Sequence, residues 1–138
     1  MKKEIDPKES PRGRAFELWK TAGMPKVTIV KTFDVGRLIR VAKRSGMKTN
    51  MLMCWCIGQA ASGIQEFYTL PAGGRLWQYD RLAVMTVVKT MNGDAHLCDI
   101  PFSADLRQFN EDYLRLTHQV HETNEDHLLG DDYMAIDT

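Results

Sequence analysis

The residues whose types best suit chemistry are histidines and acids in one short stretch near the end of the chain. Positions 118–127 hold three of each kind: His118, His121, His127, Glu122, Glu125 and Asp126. His118 and His121 share a helix face because they are three residues apart. A zinc site also needs a ligand from elsewhere and outer-shell support, and no His-Glu-x-x-His pattern is present. The stretch is either a metal site or, as we favour, a solvated polar helix face.

The cysteines give a second set of candidates. Cys54 and Cys56 are two residues apart, which on a helix places them about 200° apart around the axis and prevents shared coordination. One interpretation is that both are thiols of the core. The other is that one of them is a catalytic nucleophile, but the Met-rich helix offers little positive charge to activate it. With Cys98 the count is odd and lacks the spacing of a disulfide framework. This usage predicts a reducing, cytoplasmic location.

Charge is distributed unevenly along the chain. Residues 1–48 carry 13 basic and 5 acidic side chains, and residues 103–138 carry 2 basic and 9 acidic ones, while the net charge is zero. We expect the two ends to attract each other, and we expect neither nucleic acid nor an anionic membrane as a partner. The basic residues Arg37, Arg40, Lys43, Arg44 and Lys48 cluster on one predicted helix. Two interpretations are open: these residues contact phosphates, such as those of a CoA-type cofactor, or they form a solvated helix face.

Length and composition fit one folded unit. The chain has 138 residues, of which 43% are hydrophobic and 26% charged, values typical of globular proteins. The start has no apolar run behind its lysines, so no signal peptide is predicted. The longest apolar run, 51–64, is too short to span a bilayer.

Hydrophobic periodicity predicts four helices and six strands. We expect helices over 11–22, 35–45, 51–62 and 104–127, capped by Ser10, Asp34, Thr49 or Asn50, and Ser103 respectively. The uncharged helix 51–62 should be the central buried one. We expect strands over 26–33, 67–70, 76–79, 82–90, 96–100 and 133–136, with turns at Gly73-Gly74 and Asn92-Gly93. The pattern indicates an α/β (α+β) unit with antiparallel hairpins.

Five short segments together resemble the N-terminal part of the chloramphenicol acetyltransferase family. In chain order they are Arg12, Phe16, Glu17 and Trp19; Phe33-Asp34-Val35 with Leu38; Glu66-Phe67; Leu76, Asp80 and Thr86-Val87; and Asp105 through Phe109. Tyr68 stands where the family usually has arginine. The resemblance covers nearly the whole chain and implies a two-layer sandwich, with helices on one face of a mixed, mostly antiparallel sheet.

The resemblance also implies an activity whose base is missing here. Members of the family transfer acetyl from acetyl-CoA to a hydroxyl of a small acceptor and act as homotrimers. Their base is the second histidine of a His-His-x-x-x-Asp-Gly segment, and a serine on the strand after the long helix stabilises the oxyanion. No histidine of this chain has those neighbours, and Thr138 lies about where that strand begins.

Four positions carry over as site residues. Arg12 matches the arginine that pairs with the aspartate of the missing segment. Trp19 matches an aromatic that packs on the acceptor, and Thr86 lies on a strand that lines the acceptor pocket. The resemblance implies an acceptor that is chloramphenicol or a similar small molecule. Ala95 or His96 occupies the place of a phenylalanine over the antibiotic, a departure that argues against chloramphenicol itself.

The hypothesis is therefore that residues 1–138 form one incomplete domain of an acetyl-CoA-dependent O-acetyltransferase, with no catalytic residue of its own and no activity alone. The alternative is a non-catalytic binding or assembly module that keeps the acceptor-pocket half of the fold. A metal-binding regulator built on His118 and His121 ranks last. We also expect the isolated chain to expose unpaired strand edges.

Overall fold

A computed structural model describes residues 1–138, and it contains four α-helices and six strands. The helices are α1 (Gly13–Trp19), α2 (Gly36–Ser45), α3 (Thr49–Ser62) and α4 (Leu106–Thr123). The strands are β1 (Lys3–Ile5), β2 (Thr69–Ala72), β3 (Arg75–Gln78), β4 (Leu82–Lys89), β5 (Ala95–Pro101) and β6 (Met134–Asp137). The α/β class predicted from the sequence is confirmed.

The strands form two separate three-stranded sheets. In the first, the order is β1-β3-β2 and both pairings are antiparallel. In the second, the order is β5-β4-β6, in which β4 and β5 are antiparallel and β4 and β6 are parallel. The sheets are therefore mostly antiparallel, as expected. β1 is too short to show a sequence pattern, and it is a strand because its three residues pair with β3.

The core lies between one face of β4 and β5 and the helices α3 and α4. Eleven buried residues form it: Ala42, Met51, Leu52, Cys54, Val84, Cys98, Ile100, Phe109, Tyr113, Leu116 and Val120. Gly58 lets α3 approach the sheet, because a Cβ added there would meet the Phe102 ring at 2.3 Å. Only one side of α3 is buried, and Cys56 and Gln59 on its other side are exposed. The predicted central helix therefore contributes to the core, as expected, but through one side only.

The ends of α2 and α4 are set by local hydrogen bonds that differ in part from those the sequence pattern predicts. Asp34 is not the N-cap of α2, contrary to the prediction: the N-cap is Val35, which makes no side-chain cap, and Asp34 accepts from the Gly36 amide in the turn just before the helix. For α4 the cap is Asp105, whose Oδ1 accepts from Arg107 N at 2.8 Å, whereas Ser103 accepts from Asp105 N. That helix ends at Thr123 because Asn124 adopts the left-handed conformation, with φ 56°. The predicted end near His127 is too late.

The other two helices lack the caps that we expected. α1 begins at Gly13, and the Ser10 hydroxyl accepts from Arg12 N in the preceding turn. It ends at Trp19, short of the predicted end near Ala22. α3 follows Lys48, which makes no side-chain cap, and the amide of Asn50 instead points into the protein. Buried hydrogen-bond partners, which the sequence does not show, decide these positions.

Residues 26–33 are not a strand, contrary to the prediction. Residues 27–33 take part in no backbone hydrogen bond, and Val27, Ile29, Val30 and Phe33 are 70–90% exposed. Strand propensity alone does not make a strand, because the hydrogen-bond ladder needs a second strand beside it. None lies beside this segment.

The attraction expected between the basic start and the acidic end is nearly absent. One ion pair joins them, from Lys2 Nζ to Asp131 at 2.6 Å. The basic side chains of α2 make no ion pair. The first and last parts of the chain also share the core, where Ala42 of α2 belongs to the same cluster as the buried residues of α4. None of the helices has the length and apolar character that crossing a bilayer requires.

Because two thiols are buried, we expect the free energy of unfolding to decrease at alkaline pH. Burial, and secondarily the charge of Asp99, raises the pKa of Cys98 from 9.0 to about 11. The folded chain therefore keeps a proton that the unfolded thiol releases. This stabilisation is complete below pH 9 and is lost as the pH rises toward 11. Burial also raises the pKa of Cys54 and of Tyr113.

We expect the free energy of unfolding to decrease between pH 9 and pH 10 in the wild type. In Cys98→Ala that decrease should be smaller by about 1 kcal/mol. Urea titrations at several pH values measure that slope. Cys56→Ala, which removes an exposed thiol, is the matched control and should leave the slope unchanged. Equal slopes in wild type and Cys98→Ala would contradict the assignment.

Candidate functional site

An open groove lies between α1 and the turn that joins β2 to β3. Its volume is about 670 Å³, within the range of small-molecule sites. We call it the Trp19 groove. Its lining residues are Arg12, Ala15, Phe16, Trp19, Lys20, Pro25, Val27, Thr69, Pro71, Ala72, Gly73, Gly74 and Leu76. Two cations and no carboxylate are among them.

The apolar part of the groove comes from α1 and β3. Phe16 and Leu76 are buried, whereas Trp19 is 43% exposed and so offers ring surface to solvent. Phe16 and Trp19 share one side of α1 because they are three residues apart. The groove therefore combines a buried apolar base with an aromatic ring that a flat ligand can stack on.

Two glycine-dependent features hold the walls of the groove. Gly73 and Gly74 have φ of +60° and +74°, which makes a tight two-residue turn of the kind that joins twisted hairpin strands. Gly13 begins α1 directly against the preceding turn, and a Cβ there would lie 1.7 Å from the Pro7 carbonyl oxygen. Close approach at Gly13 thus fixes where α1 starts and where its neighbour Arg12 lies.

Arg12 is the cation at the inner end of the groove. It lines both the Trp19 groove and a smaller polar cavity of about 240 Å³ that also contains Glu9 and Glu66. Its guanidinium makes no ion pair or hydrogen bond with another side chain, whereas Lys20 is paired with Glu17 at 2.5 Å. Arg12 is therefore the free cation of the groove.

Thr86 lies elsewhere, in a buried polar cluster beneath α3 and α4. The Asn50 side-chain amide donates to Thr86 Oγ1 at 3.1 Å and to Tyr113 Oη at 3.0 Å. Nearby, Thr138 Oγ1 lies 3.7 Å from Cys54 Sγ and donates to the Met85 carbonyl. This cluster ties α3, α4, β4 and the end of β6 together. No sequence pattern indicated this role of Asn50, because a polar residue at the start of a helix also fits a cap.

His96 is engaged with the segment that follows α4. Its Nδ1 lies 2.9 Å from Asp126 Oδ1, and the same oxygen accepts from Leu97 N at 2.8 Å. These two contacts, the amide first, hold the pKa of Asp126 below its ordinary value. His96 therefore fixes a loop in place, and neither it nor Thr86 lines the Trp19 groove. Of the four site residues that the resemblance implied, the structure brings Arg12 and Trp19 together in this groove and places the other two elsewhere.

The remaining histidines do not converge. His121 Nδ1 lies 2.7 Å from the Lys89 carbonyl oxygen, and His118 lies 3.4 Å from Glu122. His127 uses its backbone, which bridges to β5. No group of three or more histidines, cysteines or acids is arranged to hold a metal ion. The geometry gives the metal interpretation no support.

A comparison with solved structures places this arrangement in a known fold. The chain superposes on a chloramphenicol acetyltransferase with a TM-score of 0.76 and 22% sequence identity, over 86% of this chain and 56% of that one. No protein-family model and no curated protein matches the sequence.

The molecule thus has a mixed α/β fold with mostly antiparallel sheets. More narrowly, its fold is that of chloramphenicol acetyltransferase, which confirms the resemblance drawn from the five sequence segments at the level of fold. The chain spans little more than half the length of the protein it superposes on.

The close approach at Gly13 generates a prediction. We expect Gly13→Ala to lower the free energy of unfolding by about 1–3 kcal/mol, because the new methyl group forces the backbone at Pro7 to move. Gly23→Ala has nothing within 4 Å of its Cβ and serves as the matched control, with a change within about 0.5 kcal/mol. Urea unfolding of both variants measures the difference. Similar stabilities would show that the start of α1 does not depend on this contact.

Proposed function

We propose that this chain is the acceptor-binding half of an acetyl-CoA-dependent O-acetyltransferase of the chloramphenicol acetyltransferase type, and that it binds a small hydroxyl-bearing acceptor without acetylating it. The observation that carries the proposal is the Trp19 groove, which brings Arg12 and Trp19 together on this fold. Both positions had been singled out by the resemblance.

The chemistry of the groove fits a small, partly aromatic acceptor. The exposed ring of Trp19 supplies a stacking surface, and Phe16 and Leu76 supply apolar contacts beneath it. Arg12 and the Thr69 hydroxyl supply polar groups at the groove wall that can orient a hydroxyl or nitro group. Few polar groups within a mostly apolar cleft are typical of small-molecule sites.

Acetyl transfer needs a base that we do not find at the groove. The acceptor oxygen attacks the thioester carbonyl carbon, its proton passes to a base, and the CoA thiolate leaves. A positioned base contributes about 10²–10⁴-fold to such a step. The side chains of His96, His118 and His121 have partners elsewhere, His127 is bonded through its backbone, and none of the four lines the groove. We therefore propose that acetyl-CoA is a co-substrate only of a complete fold, which supplies the base.

The roles of individual residues, the cellular location and the oligomeric state are part of the same proposal. Arg12, unpaired here, is available for the aspartate that the resemblance gives it. Thr86 and His96 stay predictions as acceptor contacts, since their present partners are Asn50 and Asp126. We further propose a cytoplasmic protein, which the three free thiols support, and a homotrimer for the complete enzyme.

One observation favours the alternative of a binding or assembly module without catalysis. The apolar residues of the segment 26–33 are exposed and unpaired, as on a surface that another polypeptide covers. In that case the fold serves association, and the groove need not hold an acceptor. The two functions differ in whether a small molecule binds at Trp19.

We expect Trp19→Ala to weaken binding of chloramphenicol, used as the acceptor probe, about 3- to 10-fold in isothermal titration calorimetry, because the stacking surface is lost. Leu18→Ala is the matched control, since Leu18 is exposed, adjoins Trp19 and does not line the groove. Equal affinities for wild type and Trp19→Ala, or no binding by either, would count against the acceptor proposal and in favour of the module.

A further inference from the structure

The charged side chains that line the Trp19 groove are all of one sign. Among its 13 lining residues the only charged ones are Arg12 and Lys20, and no carboxylate is present. All of the lining comes from two stretches of this chain, 12–27 and 69–76. A lining that has cations and no acids favours an anionic group on the ligand and disfavours an ammonium group.

Lys20 can exchange its present partner for a ligand at small cost. Its Nζ lies 2.5 Å from Glu17 Oε2, and the two side chains are 40% and 55% exposed. An exposed ion pair between residues three apart on a helix contributes little to stability, because water and salt screen the attraction. A ligand carboxylate in the groove therefore competes with Glu17 for Lys20 on nearly equal terms.

The turn between β2 and β3 adds hydrogen-bond donors to the wall of the groove. Gly73 and Gly74 belong to the lining, and their backbone N–H groups donate to no acceptor within the chain. Both residues have positive φ. Successive N–H groups in a turn of this kind form a concave surface that binds anionic oxygens. The groove thus offers a carboxylate two kinds of donor, charged side chains and backbone amides.

We infer that the acceptor preferred by the Trp19 groove is an aromatic hydroxy acid, in which a flat ring carries a carboxylate besides its hydroxyl group. The ring stacks on the exposed face of Trp19, and the carboxylate contacts the two cations and the turn amides. This inference rests on the proposed function, because it names the class of acceptor that the groove selects. Chloramphenicol has no charge, so a different molecule is the preferred acceptor.

The test compares three probes that share a benzene ring and a hydroxymethyl group and differ in charge. They are para-hydroxymethylbenzoate, which is anionic, its neutral methyl ester, and para-hydroxymethylbenzylamine, which is cationic. Nuclear magnetic resonance titration of the ¹⁵N-labelled chain gives each dissociation constant from the Gly73 and Gly74 amides and the Trp19 indole N–H. We expect the anion to bind about tenfold more tightly than the ester, and the amine to bind least tightly. This preference should shrink as the salt concentration rises from about 20 to about 500 mM.

Neutral variants identify the groups that recognise the charge. Arg12→Gln and Lys20→Gln each remove one cation and keep a side chain that donates hydrogen bonds. Each should weaken binding of the anion about 3- to 10-fold and leave binding of the ester unchanged. Arg14→Gln is the matched control, since Arg14 is exposed on the same helix and does not line the groove. It should change the affinity of neither probe. Circular dichroism verifies that each variant is folded.

The outcomes separate this inference from the proposed function. Equal affinities for the three probes, or tightest binding of the amine, would overturn the charge preference and leave the groove as an acceptor site. A preference for the anion that neither Arg12→Gln nor Lys20→Gln reduces would also overturn the inference, as would an equal loss of affinity for anion and ester in both variants. No binding of any probe or of chloramphenicol would overturn the inference and the proposed function together.

Discussion

The packing of α3 and α4 against one face of β4 and β5 is the interaction on which the other features depend. Gly58 allows the close approach of α3 to the sheet, and the Asn50 side-chain amide joins α3 to the buried residues Thr86 and Tyr113. Because this amide donates both its protons, it fixes the relative position of three elements more narrowly than apolar contact alone. β6 pairs with β4 beside these layers, and Thr138, which follows β6, donates to the Met85 carbonyl.

The functional features lie at the margins of this core. The Trp19 groove is built by α1 and the sheet β1-β3-β2, and residues 26–33 lie between α1 and α2 in the chain. The glycines that permit the groove, Gly13, Gly73 and Gly74, act through backbone conformation and close approach and not through side-chain contacts. The core therefore sets the fold, and its margins provide the surfaces for binding.

The sequence predicted most of the elements because their signals are local. α2, with apolar residues at regular spacing and Gly46 at its end, and the β4–β5 hairpin around Gly93 are local patterns that the structure confirms. The errors occurred where a distant partner decides the outcome. Residues 26–33 have strand propensity but no neighbour, and Asn50 looked like a cap because its partners are 36 and 63 residues away. Of the site, Arg12 and Trp19 meet in one groove, whereas the positions of Thr86 and His96 depend on tertiary contacts that no local pattern encodes.

The central claim is that this chain holds an acceptor in the Trp19 groove and lacks the base that acetylation requires. The most direct measurement is a nuclear magnetic resonance titration of the ¹⁵N-labelled chain with chloramphenicol in the presence of acetyl-CoA. The account predicts shifts of the Trp19 indole N–H and of the Gly73 and Gly74 amides, with no growth of an acetyl ester methyl signal. Shifts centred on His96, or a growing ester signal, would contradict it.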